Sequence, residues 1–214
     1  TEMKQFQKDF IIQESNTDKI SHHGYHRFYP WFLAHLRGLD INILEIGIDE
    51  TESLKLWKGY FGKVNLHGID IDYKNFDDTN VTLHKLDQSN VVELANFVDS
   101  IGISFDIILD DGSHVPEHQI LTINNLWNLV KPGGIYIIED IETSYWKKSS
   151  IYGYHFNAKK NGIMRSFYDL VDVINSEFSK KNIKNSSIKN FAKEVEMVTF
   201  AQNCVIFVKK DYQN

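Results

Sequence analysis

INILEIGIDETESLKLWKGYFGKVNLHGID, residues 41–70, decides the fold. INILEIG (41–47) and VNLHGID (64–70) are short apolar runs rich in β-branched residues. Between them, Glu52 to Phe61 carries apolar residues at helical spacing. A strand, a crossover helix and a second strand make the unit from which parallel sheets are built. The alternation continues with strands at VTLHKLD (81–87), FDIILDD (105–111) and GGIYIIED (133–140). Helices are expected at Asn90 to Ile101 and at Glu117 to Val130, the latter ending at KPGG, where Pro132 and two glycines cannot continue it. A further helix is expected near Gly162 to Phe178. EVEMVTF and NCVIFVKK are separated only by AQ. So short a link joins antiparallel neighbours and cannot make a parallel crossover. The expectation is an α/β, Rossmann-like, mainly parallel seven-stranded sheet with helices on both faces and a C-terminal antiparallel hairpin.

At 214 residues, with 42% hydrophobic and 13% aromatic content, the chain suits one domain (1–214), with an N-terminal helical segment (1–37). The net charge of −6 and the lack of a long Lys/Arg run argue against a nucleic-acid backbone or an anionic membrane as the main partner. A small or locally recognised substrate is expected. Cys204, the single cysteine, lies in the apolar run NCVIFV and reads as a core residue. No apolar stretch reaches the length of a membrane span, and TEMKQFQKDF is not a signal peptide, so a cytoplasmic location is expected. SKKNIKNSSIKN (179–190) reads as a polar loop.

In an open parallel sheet the ligand crevice lies at the carboxyl ends of the strands. There the sequence collects Glu45, Asp70, Asp87, Asp110, Asp111, Glu139 and Asp140. The first strand-to-helix turn, EIGIDETES, has one glycine and three acids beyond the strand, whereas a pyrophosphate turn needs G-x-G-x-x-G. NAD and ATP fit such a turn poorly. S-adenosylmethionine carries no phosphate, and its sulfonium and ammonium groups suit an acidic crevice. Asp70, at the end of the second strand, is placed to accept ribose hydroxyls. Asp87 and Gln88 are placed to edge the adenine.

LEIG, SLKLWKGYF, GIDID, DIILDDGSH, LVKPGGIYIIEDIETSYW and TDKISHHGYHRFY together resemble the macrolide-sugar O-methyltransferases, the macrocin and mycinamicin O-methyltransferase family, over residues 17–146. The resemblance implies a class I methyltransferase fold, S-adenosylmethionine as donor and a divalent metal, usually magnesium. It implies Asp111, Glu139 and Asp140 as metal ligands and His114 as general base. Glu45 and Gly47 of the LEIG segment join Asp70, Asp87, Gln88 and Asp110 as donor contacts. The chain departs from the family in having Asp49 and Glu50 where more glycines are usual, and it lacks the large N-terminal extension of some members.

The residues agree with that reading of DDGSH (110–114). If the fourth and fifth strands are neighbours, their ends lie about 4.8 Å apart, so Asp111 can meet the Glu139/Asp140 pair. Hard carboxylate oxygens favour magnesium, or manganese or calcium, over zinc. Asp110 either replaces Asp111 as the ligand or bonds the donor's amino group, the reading preferred here. His114 has a bland alternative, capping the next helix or ordering the loop, and His118 reads as structural or exposed. HHGYH (22–26) reads as a loop, with Tyr25 a weak candidate donor contact. TSYW (143–146) is either a core anchor or an aromatic wall in which Tyr145 and Trp146 face the acceptor. The loop from Lys147 to Asn161 is then a lid. The expected partner is a small molecule or glycan offering a sugar hydroxyl, with homo-oligomerisation open. The competing functions are a DDGSH-containing relative with a hydroxylase-type reaction, or a donor-binding protein without transferase activity.

Overall fold

The structure, a computed structural model, describes residues 2–12, 14–72, 74–146, 151–152, 163–179, 188 and 191–211. Three short helices, α1 (Gln5–Lys8), α2 (Asp18–Ser21) and α3 (Tyr29–Leu33), precede β1 (Ile41–Ile46). The segment 41–70 then folds as its pattern predicts, into β1, α4 (Glu52–Phe61) and β2 (Val64–Asp70). After β3 (Val81–Lys85) come α5 (Val91–Ile101), β4 (Phe105–Asp110), α6 (Pro116–Leu126) and β5 (Val130–Glu139). The short helices α7 (Ile163–Tyr168), α8 (Leu170–Ile174) and α9 (Ser176–Ser179) lead to β6 (Val195–Ala201) and β7 (Cys204–Lys209).

The sheet order is β3-β2-β1-β4-β5-β7-β6. The first five strands are parallel, and β7 runs antiparallel to both β5 and β6. Because side chains alternate across a strand, the central strands feed two cores. Leu44, Ile46, Ile108 and Ile138 pack on one face with Leu94, Phe97 and Ile123 of α5 and α6. Ile43, Ile107, Leu109 and Ile137 pack on the other with Trp57 and Phe61 of α4 and with Phe10, Tyr25 and Tyr29 of the N-terminal segment. Strands covered on both sides read as continuous apolar runs, as these do.

Two expectations need correction. The helix predicted to reach Val130 ends at Leu126, and Trp127–Leu129 is a single 3-10 turn. Trp127 is fully buried against Phe191 and Tyr136, which turns the chain before KPGG. KPGG then lies inside β5, where the β4–β5 register slips between Phe105 and Ile107, and Gly133 takes a φ of +72°. The irregularity lets the strand tolerate Pro132. The helix predicted near 162–178 is broken into α7, α8 and α9. Most of the proposed lid (147–161) and of the polar loop 179–190 lies outside the described residues.

Candidate active site

A cavity of about 550 Å³ opens at the carboxyl ends of β1, β2, β3 and β4. Its wall carries Gly47, Asp70, Asp87 and Gln88 together with Asp111 and His114, six of the residues singled out from sequence. The N-terminal segment closes one side through residues 16–19.

Asp70 organises the first turn. One carboxylate oxygen accepts the backbone N–H groups of Ile48 (3.0 Å) and Asp49 (3.2 Å), and the other accepts Asp72 N–H at 2.9 Å. A carboxylate offers about four lone-pair directions, so Asp70 holds the turn and retains capacity toward a ligand. Asp70→Ala is therefore expected to weaken S-adenosylmethionine binding by about 10–100-fold, roughly 1.5–3 kcal/mol for hydrogen bonds to a charged group. Calorimetric titration of the donor checks this; an affinity unchanged within twofold would remove Asp70 from the donor site.

Gln88 is locked from three directions. Its amide nitrogen donates to Asp110 and Thr122, both at 3.0 Å, and its oxygen accepts Ser113 N–H at 2.6 Å. Asp110 itself is 1% exposed and stands off the cavity wall. Burial pushes its pKa up to about 7, with Gln88 and the Gly112 N–H opposing. It braces Gln88 and the DDGSH loop; contact with the donor's amino group does not follow from its position. Glu45 is also enclosed, accepting Ser53 Oγ (2.7 Å) and Trp57 Nε1 (3.0 Å) beneath the cavity floor. The proposed donor contacts thus divide into wall residues and buried supports.

Beside the cavity lies an acid cluster clasped by the N-terminal segment. His114 adopts a left-handed backbone (φ 56°), its carbonyl held by the Thr143 hydroxyl at 2.7 Å. Its Nε2 is 3.1 Å from Asp111 Oδ1 and 3.4 Å from Asp140 Oδ2. Burial works to lower the imidazole pKa, but the hydrogen bond to Asp111 and the charges of Asp111, Asp140 and Asp110 raise it above its ordinary value. Asp140 is fixed by Asn203 Nδ2 (2.7 Å) and the Tyr25 hydroxyl (3.1 Å). Tyr25 therefore bonds the acid cluster; it is not on the wall of the cavity. Ligand atoms of Asp111, His114 and Asp140 lie within 4.8 Å of one another, a group able to hold a metal ion.

Glu139 is engaged elsewhere. Its carboxylate receives Lys19 Nζ at 2.6 Å and the Tyr29 hydroxyl at 2.5 Å. The same ammonium donates to Asp111 Oδ2 at 2.5 Å and lies 3.3 Å from Glu45 Oε1. Lys19 is 1% exposed. Burial works to lower its pKa, but Asp111, Glu139 and Glu45 hold it well above the usual lysine value. Burial likewise works to raise the Asp111 pKa, and Lys19 and His114 bring it down to about 2. Lys19 lies in TDKIS, a segment that carried the resemblance but gave no hint of a role for the lysine, because its three partners are 26 to 120 residues away in sequence. Tyr145 and Trp146 follow Asp140 in a 3-10 turn and remain half-exposed, Tyr145 bonded to Tyr168 and Trp146 edge-on to Tyr152.

No protein-family model matches the chain. It is 34% identical over 138 residues to the 8-demethyl-8-alpha-L-rhamnosyl tetracenomycin-C 2'-O-methyltransferase of Streptomyces olivaceus, the match covering 61% of this chain and 36% of that protein. It is 35% identical over 132 residues to the demethylmacrocin O-methyltransferase of Streptomyces fradiae, covering 56% and 33%. The match thus spans about a third of the length of these relatives. Among solved structures, the MycE methyltransferase of the mycinamycin pathway, in complex with Mg and SAH, superposes with a TM-score of 0.77 over 98% of this chain and 55% of that one, at 22% identity. The fold is that of a class I methyltransferase. By sequence, the chain resembles the macrolide and glycoside sugar O-methyltransferases over the stretch it shares with them.

Proposed function

We propose that the chain transfers a methyl group from S-adenosylmethionine to a sugar hydroxyl of a glycosylated small molecule, with a divalent cation, preferably magnesium, orienting the acceptor. The observation that carries this reading is the single cavity wall that holds Asp70 and Asp87 at one end and Asp111 and His114 at the other. Of the relatives named above, one acts on a rhamnosyl tetracenomycin and the other on demethylmacrocin, and the MycE complex contains Mg and SAH.

The donor set fits a hard cation. Asp111 and Asp140 offer carboxylate oxygens on either side of His114, with ligand atoms of all three within 4.8 Å of one another. Asp111 and Asp140 would hold the ion, which when bound supplies Lewis acidity to an acceptor hydroxyl. His114 takes the proton as the O–H bond breaks. The oxygen then bonds the methyl carbon while the carbon–sulfur bond breaks, leaving a neutral thioether. Gly47, Asp70, Asp87 and Gln88 hold the donor, and positioning two bound reactants accounts for much of the acceleration. Tyr145 and Trp146 flank the acceptor side.

A labelled-methyl transfer assay against nucleotide sugars and glycosides, with chelator controls and calorimetry of the donor, tests the reading. Donor binding is expected, together with transfer that a chelator stops and Mg²⁺ restores. Absence of donor binding would overturn the proposal; transfer that persists in chelator would remove the cation's part alone. Among the described residues, no helix is long and apolar enough to cross a membrane.

A further inference from the structure

Glu52, one of the three acids of the first strand-to-helix turn, opens α4 and lies on the cavity wall. Its hydrogen bonds run to the N-terminal segment that closes the cavity. One carboxylate oxygen accepts the Asn16 backbone N–H at 2.8 Å, and the Glu52 backbone carbonyl accepts the Ser15 hydroxyl at 2.7 Å, across 36 and 37 residues of sequence. We propose that Glu52 is a positioning residue: it latches residues 16–19 against the cavity and thereby sets how long a bound donor is retained. The inference rests on the reading of this cavity as the S-adenosylmethionine site.

Three observations support it. Among the described residues, the hydrogen bonds that Ser15 and Asn16 donate to the body of the domain both end on Glu52. The latch also continues into the wall. Ser15 Oγ accepts Thr17 N–H at 3.4 Å, and Thr17, 4% exposed, caps α2 by accepting Lys19 N–H at 3.3 Å. Asn16, Thr17, Asp18 and Lys19 all line the cavity, so release at Glu52 frees one edge of it. Finally, the bond to Asn16 is charge-assisted: the Asn16 N–H and the paired Lys55 ammonium hold the Glu52 carboxyl below its ordinary pKa. A ligand enclosed by a segment leaves only when that segment moves, so a weakened latch acts on the rate of release more than on the rate of binding.

The test follows release of S-adenosylmethionine from the full chain by chasing labelled donor with unlabelled donor, so no turnover is needed. Glu52→Ala is expected to raise the dissociation rate about tenfold and to leave the association rate within about threefold of native. Glu52→Gln keeps an oxygen able to accept the Asn16 N–H and is expected to release the donor within about threefold of the native rate. Lys55→Met, which leaves that bond in place, should not change release. The negative charge beside the α4 N-terminus is lost in both Glu52 variants, so a role confined to that helix would move both alike, in Tm and in release. Ser15→Ala removes the second bond without touching α4 and is expected to raise release about threefold. A native dissociation rate in Glu52→Ala overturns the inference, as does release from Glu52→Gln as fast as from Glu52→Ala. If the native protein binds no S-adenosylmethionine, the reading of the cavity fails and the inference falls with it. Donor that binds and is held equally long in the native protein, Glu52→Ala and Ser15→Ala defeats only the latch.

Discussion

Replacing His114 with alanine is expected to lower methyl-transfer turnover by about 10²- to 10⁴-fold, the usual contribution of a positioned general base, while S-adenosylmethionine affinity stays within about threefold. The split follows from where His114 sits. Beyond the end of β4 its imidazole faces Asp111 and Asp140, whereas Asp70 ends β2 and Asp87 follows β3, across β1 in the sheet order. The backbone at His114 is left-handed, a conformation that costs alanine roughly 1–2 kcal/mol. His114→Asn makes the better companion variant, since asparagine tolerates that region and cannot serve as the base. Single-turnover transfer with saturating donor, paired with Mn²⁺ binding, checks both. A loss of cation affinity as large as the loss of rate would show that the imidazole is a third ligand of the Asp111–Asp140 group and that another residue takes the proton.

The parts of the molecule governed by local pattern were legible in the sequence. In β1, α4 and β2 the change from strand to helical spacing occurs within thirty residues, and each strand finds its partner through a crossover whose handedness and length leave little choice. Asp70 could be picked out because strand ends in such a sheet face the crevice, whereas Gly47 and the role expected of His114 came with the family resemblance. The clasp around the acid cluster was not legible. Lys19, Tyr25 and Tyr29 belong to short helices with no amphipathic period long enough to read, and their partners are more than ninety residues distant, apart from Glu45 beside Lys19. Nor could spacing tell Glu139 from Asp140. The two are adjacent, but strand alternation ends between them: Glu139 closes β5 pointing toward Tyr29, and Asp140 turns into a left-handed conformation toward His114 and Asn203. A one-residue difference at a strand end thus assigns one acid to the Lys19 ammonium and the other to the group formed with His114.

Gly47→Ala is expected to have the other large effect, and on a different property. The φ of Gly47 is +81°, and an added Cβ would lie 2.1 Å from the Asp111 carbonyl oxygen and 2.7 Å from Gly112 Cα. Neither atom can withdraw cheaply, because Asp111 N–H donates to the Ile46 carbonyl at 2.9 Å and Gly47 N–H donates to the Ile69 carbonyl at 2.8 Å. The left-handed conformation costs alanine roughly 1–2 kcal/mol, and forcing a methyl group into the contact adds about 1–3 kcal/mol. For a chain of this size the sum corresponds to a fall in Tm of roughly 5–15 °C. Donor affinity should fall as well, by about tenfold or more, since the displaced atoms carry the wall from Asp111 to His114. Gly38→Ala supplies the comparison: its φ is +77°, yet nothing lies within 4 Å of the added Cβ. That variant carries the backbone cost without the clash, so its Tm should fall by only about 2–8 °C and its donor affinity should not change. If thermal denaturation and donor calorimetry gave the same result for both variants, the close approach of β1 to the DDGSH loop would not be what demands glycine at position 47. If they differ as expected, that contact is what seats Asp111 beside the donor, and the glycine serves the chemistry by setting the distance between two strand ends.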